Sequence, residues 1–134
     1  MPVSFGEAIP ALPAGSVRAS ADFYRDRFGF EILHFDEDFA VLRRDAAEVH
    51  LWGASDDSWH GGLDTERPVR SGAESFIAGT ASCRIGVAGV DELYESCNAA
   101  GVVHPNAHLR DTEFGTREFG TLDPDGNLVT FFQR

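Results

Sequence analysis

The chain has 134 residues and a formal net charge of −11 at pH 7, from 22 acidic residues against 11 basic residues, all of which are arginine. Nucleic acid is excluded as a partner, because phosphate binding needs a basic surface. The sequence contains no run of about 18 apolar residues, which argues against a membrane-spanning helix. The length is that of one domain, residues 1–134.

The N-terminus and the two cysteines indicate the compartment. Residues 1–7 lack the basic start and the apolar core of a secretory signal. Cys83 and Cys97 do not suggest a disulfide framework, and they lack the clustered spacing of a zinc site. We therefore expect a cytoplasmic protein with reduced thiols.

The first half of the chain predicts a β-α-β-β-β module. Residues 7–12 indicate a short strand, which Pro10 confines to an edge or a bend. Ser16 is a plausible N-cap for a helix with apolar residues at helical spacing, and Gly29 ends this helix. Three strand-like runs follow, at Phe30–Phe35, Phe39–Arg43 and Glu48–Trp52.

The second half repeats the same order after a loop. Residues 53–79 are rich in Gly, Ser, Asp, Pro and Arg, which predicts a long loop. The pattern then returns as a strand, a helix and three strands, at Ser82–Val87, Val90–Ala100, Val102–His104, Thr116–Leu122 and Leu128–Phe132, with a turn at 123–127. The two modules, about 5–52 and 80–133, indicate an internal duplication and an α+β fold. We expect a curved, half-open mixed sheet with a concave pocket.

Two motifs carry a resemblance to a known family. Residues 20–30 read SADFYRDRFGF, and residues 123–127 read DPDGN. Together with the duplication they resemble the glyoxalase/bleomycin-resistance/dioxygenase (vicinal oxygen chelate) superfamily, over nearly the whole chain except 53–79. The resemblance implies the fold. It leaves the function undecided, because the superfamily includes lyases, dioxygenases and non-catalytic drug binders.

Three stretches are most similar to the bleomycin-resistance (bleomycin-binding) proteins of that superfamily. Residues 8–12, AIPAL, resemble the end of an N-terminal strand that such proteins exchange between subunits. Residues 36–40, DEDFA, resemble the acidic and aromatic segment that lines their drug groove. Residues 113–119, EFGTREF, resemble a segment whose aromatic side chain stacks on the drug, and Phe114 holds that position here.

The resemblance also implies where the enzymes of the superfamily hold a metal ion. The corresponding positions in this chain are Ile9, Glu48 or His50, Ser82 and Thr130. Only the fourth strand offers a strong ligand, and one or two groups cannot hold an ion against water. We therefore expect neither a metal ion nor a cofactor. The alternative is a rebuilt metal site that draws on Glu7, His50, His104 or Glu118.

Aromatic and acidic residues supply the predicted ligand site. Rings near strand ends can sandwich a planar ligand, and neighbouring carboxylates attract a cationic one. The predicted ligand-binding residues are Asp36, Asp38, Phe39, His50, Trp52, Trp59, Phe114 and Glu118. His50 has a second interpretation, as a half-buried strand histidine with one hydrogen bond. The aromatic residues predicted to belong to the core are Phe28, Phe30, Phe119 and Phe131.

The residues and the resemblance together predict a homodimeric, non-catalytic protein that sequesters a bulky, cationic, aromatic antibiotic, either metal-free or metal-chelated. Grooves at the subunit interface would give two equivalent sites per dimer. Two alternatives stay open. One is a metal-dependent lyase or dioxygenase with a displaced ligand set, and the other is a sensor or accessory domain that binds another metabolite.

Overall fold

A computed structural model describes residues 2–54 and 79–134. The first module consists of β1 (Ala11–Ala14), α1 (Val17–Phe28), β2 (Glu31–Phe35), β3 (Phe39–Arg44) and β4 (Ala47–Gly53). The second module consists of β5 (Ser82–Gly86), α2 (Val90–Ala99), β6 (Arg110–Asp111), β7 (Arg117–Leu122) and β8 (Leu128–Gln133). The predicted β-α-β-β-β order is confirmed in both modules. The predicted loop 53–79 lies almost wholly outside the described residues, and so does Trp59.

Each module has its own four-stranded mixed sheet. The strand order is β1-β4-β3-β2 in the first sheet and β5-β8-β7-β6 in the second. In both sheets the first strand of the module pairs in parallel with the last, and the other neighbours are antiparallel. The identical order in the two sheets supports the internal duplication, and the α+β class is confirmed.

The first strand lies later in the chain than predicted. The prediction of a strand over residues 7–12 is wrong for residues 7–10, because β1 spans Ala11–Ala14. Pairing with β4 places Leu12 beside Leu51 and both in the core. Pro10 lies just before the strand, where its carbonyl accepts a hydrogen bond from the His50 amide at 3.0 Å. Pro13 is tolerated within β1 because this strand is at the edge of the sheet.

The predicted strand at 102–104 is also wrong. Only an isolated bridge between Val103 and Thr121 forms there, and the edge strand is β6 at Arg110–Asp111. The cause is Pro105, which has no amide hydrogen and begins a turn. The Ala107 amide closes this turn by donating to the His104 carbonyl at 3.0 Å.

The helix termini follow from local sequence. The Ser16 hydroxyl accepts a hydrogen bond from the Ala19 amide at 3.1 Å and caps the N-terminus of α1, as predicted. Gly29 has φ +74° and ends the helix in the left-handed conformation that glycine favours. At the start of α2 the cap is distant in sequence, because the Gln133 side chain accepts from the amides of Gly89 and Val90.

The helix-facing sides of both sheets share one core. Phe28 on α1 packs against Phe131 on β8, with ring centroids 5.0 Å apart. The predicted core positions of Phe28, Phe30, Phe119 and Phe131 are confirmed, since each is at most 3% exposed. Because both sheets bury their helix-facing sides here, their other faces lie outside the core. We call these the first open face and the second open face.

The predicted turn at 123–127 also connects the two modules. Asn127 is fully buried and donates to the carbonyl of Pro13 at 2.7 Å and to the carboxylate of Asp123 at 3.0 Å. The Tyr24 hydroxyl on α1 donates to the same carboxylate at 2.9 Å. The turn of the second module thus holds β1 and α1 of the first module through buried hydrogen bonds, which are costly to leave unmade.

Two further observations concern the cysteines and the lengths of the helices. Cys83 and Cys97 are both free thiols. Helices α1 and α2, with 12 and 10 residues, are too short for a bilayer span, and the described residues contain no longer helix.

Candidate ligand-binding site

The first open face carries a cluster of aromatic side chains. Alternation along β3 and β4 buries Ala40 and Leu51 in the core and turns Phe39 and Trp52 to the open side. Phe39 and Trp52 are direct cross-strand partners, and their ring centroids are 4.7 Å apart. The His50 ring lies 5.1 Å from the Phe39 ring. The structure therefore brings three of the predicted ligand-binding residues together.

Acidic residues lie beside this aromatic cluster. Asp36 and Asp38 are exposed in the turn between β2 and β3, directly before Phe39. His34 Nε2 lies 2.9 Å from a carboxylate oxygen of Asp36, and the His34 ring lies 5.9 Å from the Phe39 ring. Hydrogen bonds from His34 and from the Asp38 amide lower the pKa of Asp36. A carboxylate that is ionised at neutral pH is suited to attract a cationic ligand.

A second charged group lies on β3 and β4. Glu48 accepts a hydrogen bond from Arg43 at 2.6 Å, and its other oxygen is 2.8 Å from His50 Nε2. The hydrogen bond from Arg43, and next that from His50, lower the pKa of Glu48. The interpretation of His50 as a half-buried strand histidine with one hydrogen bond is confirmed. It is compatible with a ligand-binding role, because the same ring borders Phe39.

The second open face is organised around an ion pair. Arg84 on β5 donates two hydrogen bonds to the Glu118 carboxylate on β7, at 3.0 and 2.8 Å. The Thr116 hydroxyl donates a third at 2.7 Å. Glu118 is 6% exposed, and its pKa is lowered to about 2, chiefly by the hydrogen bonds from Arg84 and against the cost of burial. The guanidinium of Arg84 also lies 4.9 Å from the centroid of the Phe132 ring.

Sequence reasoning missed Arg84. Its signal was the alternation along β5, where Cys83 and Ile85 pack against the core and Arg84 points the other way. The alternation identifies the face, but the partner comes from β7, which lies 34 residues later in the chain. Only the strand order, with β8 between β5 and β7, brings these two side chains together.

Phe114 lies in the loop between β6 and β7 and is 70% exposed. This loop is fixed near the second open face, because Thr112 and Thr116 share a hydrogen bond between their hydroxyls at 2.7 Å and Thr116 also binds Glu118.

The predicted ligand-binding residues that the structure describes fall into two groups. Those on or beside the first sheet are Asp36, Asp38, Phe39, His50 and Trp52, and those of the second module are Phe114 and Glu118.

The side chains do not fit the metal site of the superfamily. Ile9 lies before β1. Thr130 on β8 has Arg84 and Gly120 as its neighbours on the two adjacent strands, and it offers only a hydroxyl group. In residues 2–54 and 79–134, no group of three His, Cys, Asp or Glu side chains is placed to hold a metal ion. The alternative metal site with Glu7, His50, His104 or Glu118 does not form either, because Arg84 binds Glu118 and Glu48 binds His50.

Two β-α-β-β-β modules, each with a four-stranded mixed sheet in the same strand order, define a protein of the glyoxalase fold. Residues 8–131 match the model of the Glyoxalase/Bleomycin resistance protein/Dioxygenase superfamily, and the chain belongs to this superfamily.

Two relatives and one solved structure show the similarity in detail. The chain is 48% identical over 128 residues to the bleomycin resistance protein of Geobacillus stearothermophilus and to that of Staphylococcus aureus, and each match covers 96% of both chains. It is 28% identical to the bleomycin-binding protein of bleomycin-producing Streptomyces verticillus, whose crystal structure is a complex with copper(II)-bleomycin. That match covers 96% of both chains with a TM-score of 0.67.

Proposed function

We propose that the protein binds and sequesters a bulky, cationic, aromatic antibiotic of the bleomycin type and so confers resistance to it. The observation that carries this proposal is the 48% identity, over nearly the full length, to bleomycin resistance proteins. Protection is stoichiometric, because a bound drug cannot reach its target. The protein acts in the cytoplasm and breaks no bond in the drug.

The first open face supports this function through ring stacking and charge. The Phe39 and Trp52 rings offer apolar faces to a planar part of the drug, and such aromatic contacts gain about 0.5–1.5 kcal/mol beyond area burial. The ionised Asp36 carboxylate lies close by, and the net charge of the chain is −11. Both favour the approach of a cation.

The arrangement of side chains also argues against catalysis. Glu48 and Glu118 are bound by Arg43 and Arg84, which keeps these carboxylates ionised and occupied rather than free to transfer protons. The metal positions of the enzymes of the superfamily hold Ser82 and Thr130. A protein that only binds needs neither an acid nor a metal ion.

We further propose that the functional unit is a homodimer of single-domain chains. The described helices pack on the core sides of the sheets, so a second copy can supply a wall that faces an open face. Residues 2–10 form no strand of their own, and Phe5 among them is 96% exposed. The exposed start of this segment, residues 2–6, is placed to extend onto the second subunit, and exchange of identical segments forms dimers at low cost. Two-fold symmetry then gives two equivalent drug sites.

Calorimetric titration tests the proposed function. The purified protein is titrated with metal-free bleomycin and with copper-loaded bleomycin, after elemental analysis of the dialysed protein. We expect about one drug molecule per chain and less than stoichiometric zinc, iron, nickel or manganese before drug is added. The proposal would be refuted if neither metal-free nor copper-loaded bleomycin bound. It would also be refuted if the dialysed protein held about one tightly bound metal ion per chain.

A further inference from the structure

The second open face presents a guanidinium group that is fixed in position. The Arg84 Cζ atom lies over the Phe132 ring, 4.9 Å from its centroid, and two guanidinium nitrogens donate hydrogen bonds to Glu118. Its side chain is nevertheless 47% exposed. The guanidinium is therefore held by a ring and a carboxylate, and its exposed part can contact a ligand.

Neighbouring residues keep this group in place. Glu118 is buried and also accepts from Thr116, so its carboxylate cannot easily turn away from Arg84. Phe132 lies across Gly86, where an added Cβ would be 3.3 Å from the tip of the ring. A larger residue would press the ring by a few tenths of an ångström, so the close fit at Gly86 helps to position the ring on which Arg84 rests.

Arg84 also lines a pocket large enough for a planar group. The pocket has a volume of about 300 Å³, and its other walls include residues 7–10, Ala47 and Glu48. Small-molecule sites begin at about this volume. The pocket therefore lies between the two open faces. Arg84 and Gly86 belong to the second open face, and Glu48, near the start of β4, belongs to the first.

We propose that Arg84 is a specificity-determining residue of the drug site, which stacks its exposed guanidinium face on a planar, uncharged π-system of the ligand. This inference rests on the proposed function. Guanidinium groups stack on aromatic faces far better than ammonium groups do, and stacking is strongest when the group is held in one orientation. A cationic part of the drug is repelled from Arg84 and lies instead near the carboxylates of residues 36–38.

A purely structural role makes a different prediction. In that case Arg84 only connects β5 with β7 through Glu118, and any residue that preserves the ion pair preserves binding. Arg84→Lys separates the two roles, because lysine keeps the positive charge and can reach Glu118 but has no planar face to offer. Arg117→Lys is the matched control. Arg117 on β7 also pairs with carboxylates, those of Asp91 and Asp111, and no ring among the described residues lies over its guanidinium.

The experiment measures copper-bleomycin binding by wild type, Arg84→Lys and Arg117→Lys at two ionic strengths, together with the change in the ultraviolet absorbance of the drug on binding. We expect Arg84→Lys to weaken binding by roughly threefold to thirtyfold, by the same factor at both ionic strengths, and to reduce the absorbance change. Arg117→Lys should match wild type in both. Thermal melting of each variant verifies that it is folded.

Three outcomes are decisive. Equal affinity and equal absorbance change in wild type and Arg84→Lys would overturn the role of Arg84, even if the variant melts at a lower temperature. An affinity loss that disappears at high salt would also overturn it, because the contribution would then be charge alone. If wild type itself does not bind the drug, the proposed function fails, and the inference about Arg84 fails with it.

Discussion

Truncation of Phe39 should weaken drug binding more than it destabilises the fold. The Phe39 ring is at the centre of the first open face, next to the rings of Trp52, His50 and His34. Phe39→Ala removes both an apolar surface and an aromatic partner from the ligand. We expect a loss of about 1–3 kcal/mol in binding free energy, which is about a fivefold to 150-fold rise in Kd.

The cost in stability follows from burial. Phe39 is half-buried and contacts other side chains of the open face, whereas Phe28 is 2% exposed and packs against Phe131 in the core. Core Phe→Ala substitutions cost about 3–5 kcal/mol. Phe39→Ala should cost less than about 3 kcal/mol, because much of its surface is already in contact with water.

Phe35→Ala is the matched control. Phe35 on β2 is also half-buried, but it packs against the core, and the Arg18 guanidinium lies 4.9 Å from the centroid of its ring. Its cross-strand partner is Ala40, which is fully buried on the side opposite to Phe39. Phe35→Ala should therefore lower the free energy of unfolding and leave Kd for the drug unchanged.

Calorimetry and urea unfolding of wild type and both variants check this reasoning. If Phe39→Ala binds bleomycin like wild type while its unfolding midpoint falls sharply, Phe39 is a core residue and the site is misassigned. If Phe35→Ala weakens binding as much as Phe39→Ala does, the loss reflects general loosening of the sheet, and the first open face has no special role.

Three further predictions concern the fold and the assembly. Tyr24→Phe leaves the buried Asp123 carboxylate without its hydroxyl donor, so urea unfolding should show a loss of about 1.5–3 kcal/mol; an unchanged midpoint would mean that this bond does not stabilise the fold. The pKa of Glu118 is about 2 in the folded protein, so its stabilising effect is complete above its ordinary pKa and is lost as the pH falls toward 2. The stability difference between wild type and Glu118→Gln should therefore shrink as urea unfolding is repeated from pH 6 to pH 3, and a constant difference would contradict this assignment. Light scattering at micromolar concentration should report a dimer, and deletion of residues 2–9 should shift it toward monomer; a monomeric wild type would remove the interface groove.

The sequence predicted elements whose signals are local. Ser16, the helical spacing of apolar residues and Gly29 all lie within or beside α1, and both of its ends are where these residues indicate. The first strand of the chain was misplaced because its boundary depends on β4, which lies nearly 40 residues later and selects Leu12 as the partner of Leu51. The predicted strand at 102–104 does not form because Pro105 and Asn106 begin a turn directly after it.

The site was predictable as a set of residue types but not as an arrangement. Phe39 and Trp52 were each notable as rings beside polar residues, and the β3–β4 register makes them neighbours. Arg84 could not be connected with Glu118 before the order of β5, β8 and β7 was known. The contact between Arg84 and Phe132 likewise follows from the pairing of β5 with β8, which no local pattern indicates.

Recovery of the drug after prolonged incubation tests the central claim most directly. The protein is incubated with a tenfold excess of copper-bleomycin, bound drug is measured by equilibrium dialysis, and all drug is then released by denaturation and weighed by mass spectrometry. Sequestration predicts that binding saturates at about one drug molecule per chain, does not increase with time, and returns drug of unchanged mass. Drug of altered mass in an amount that grows beyond one equivalent per chain would show turnover and would contradict the account.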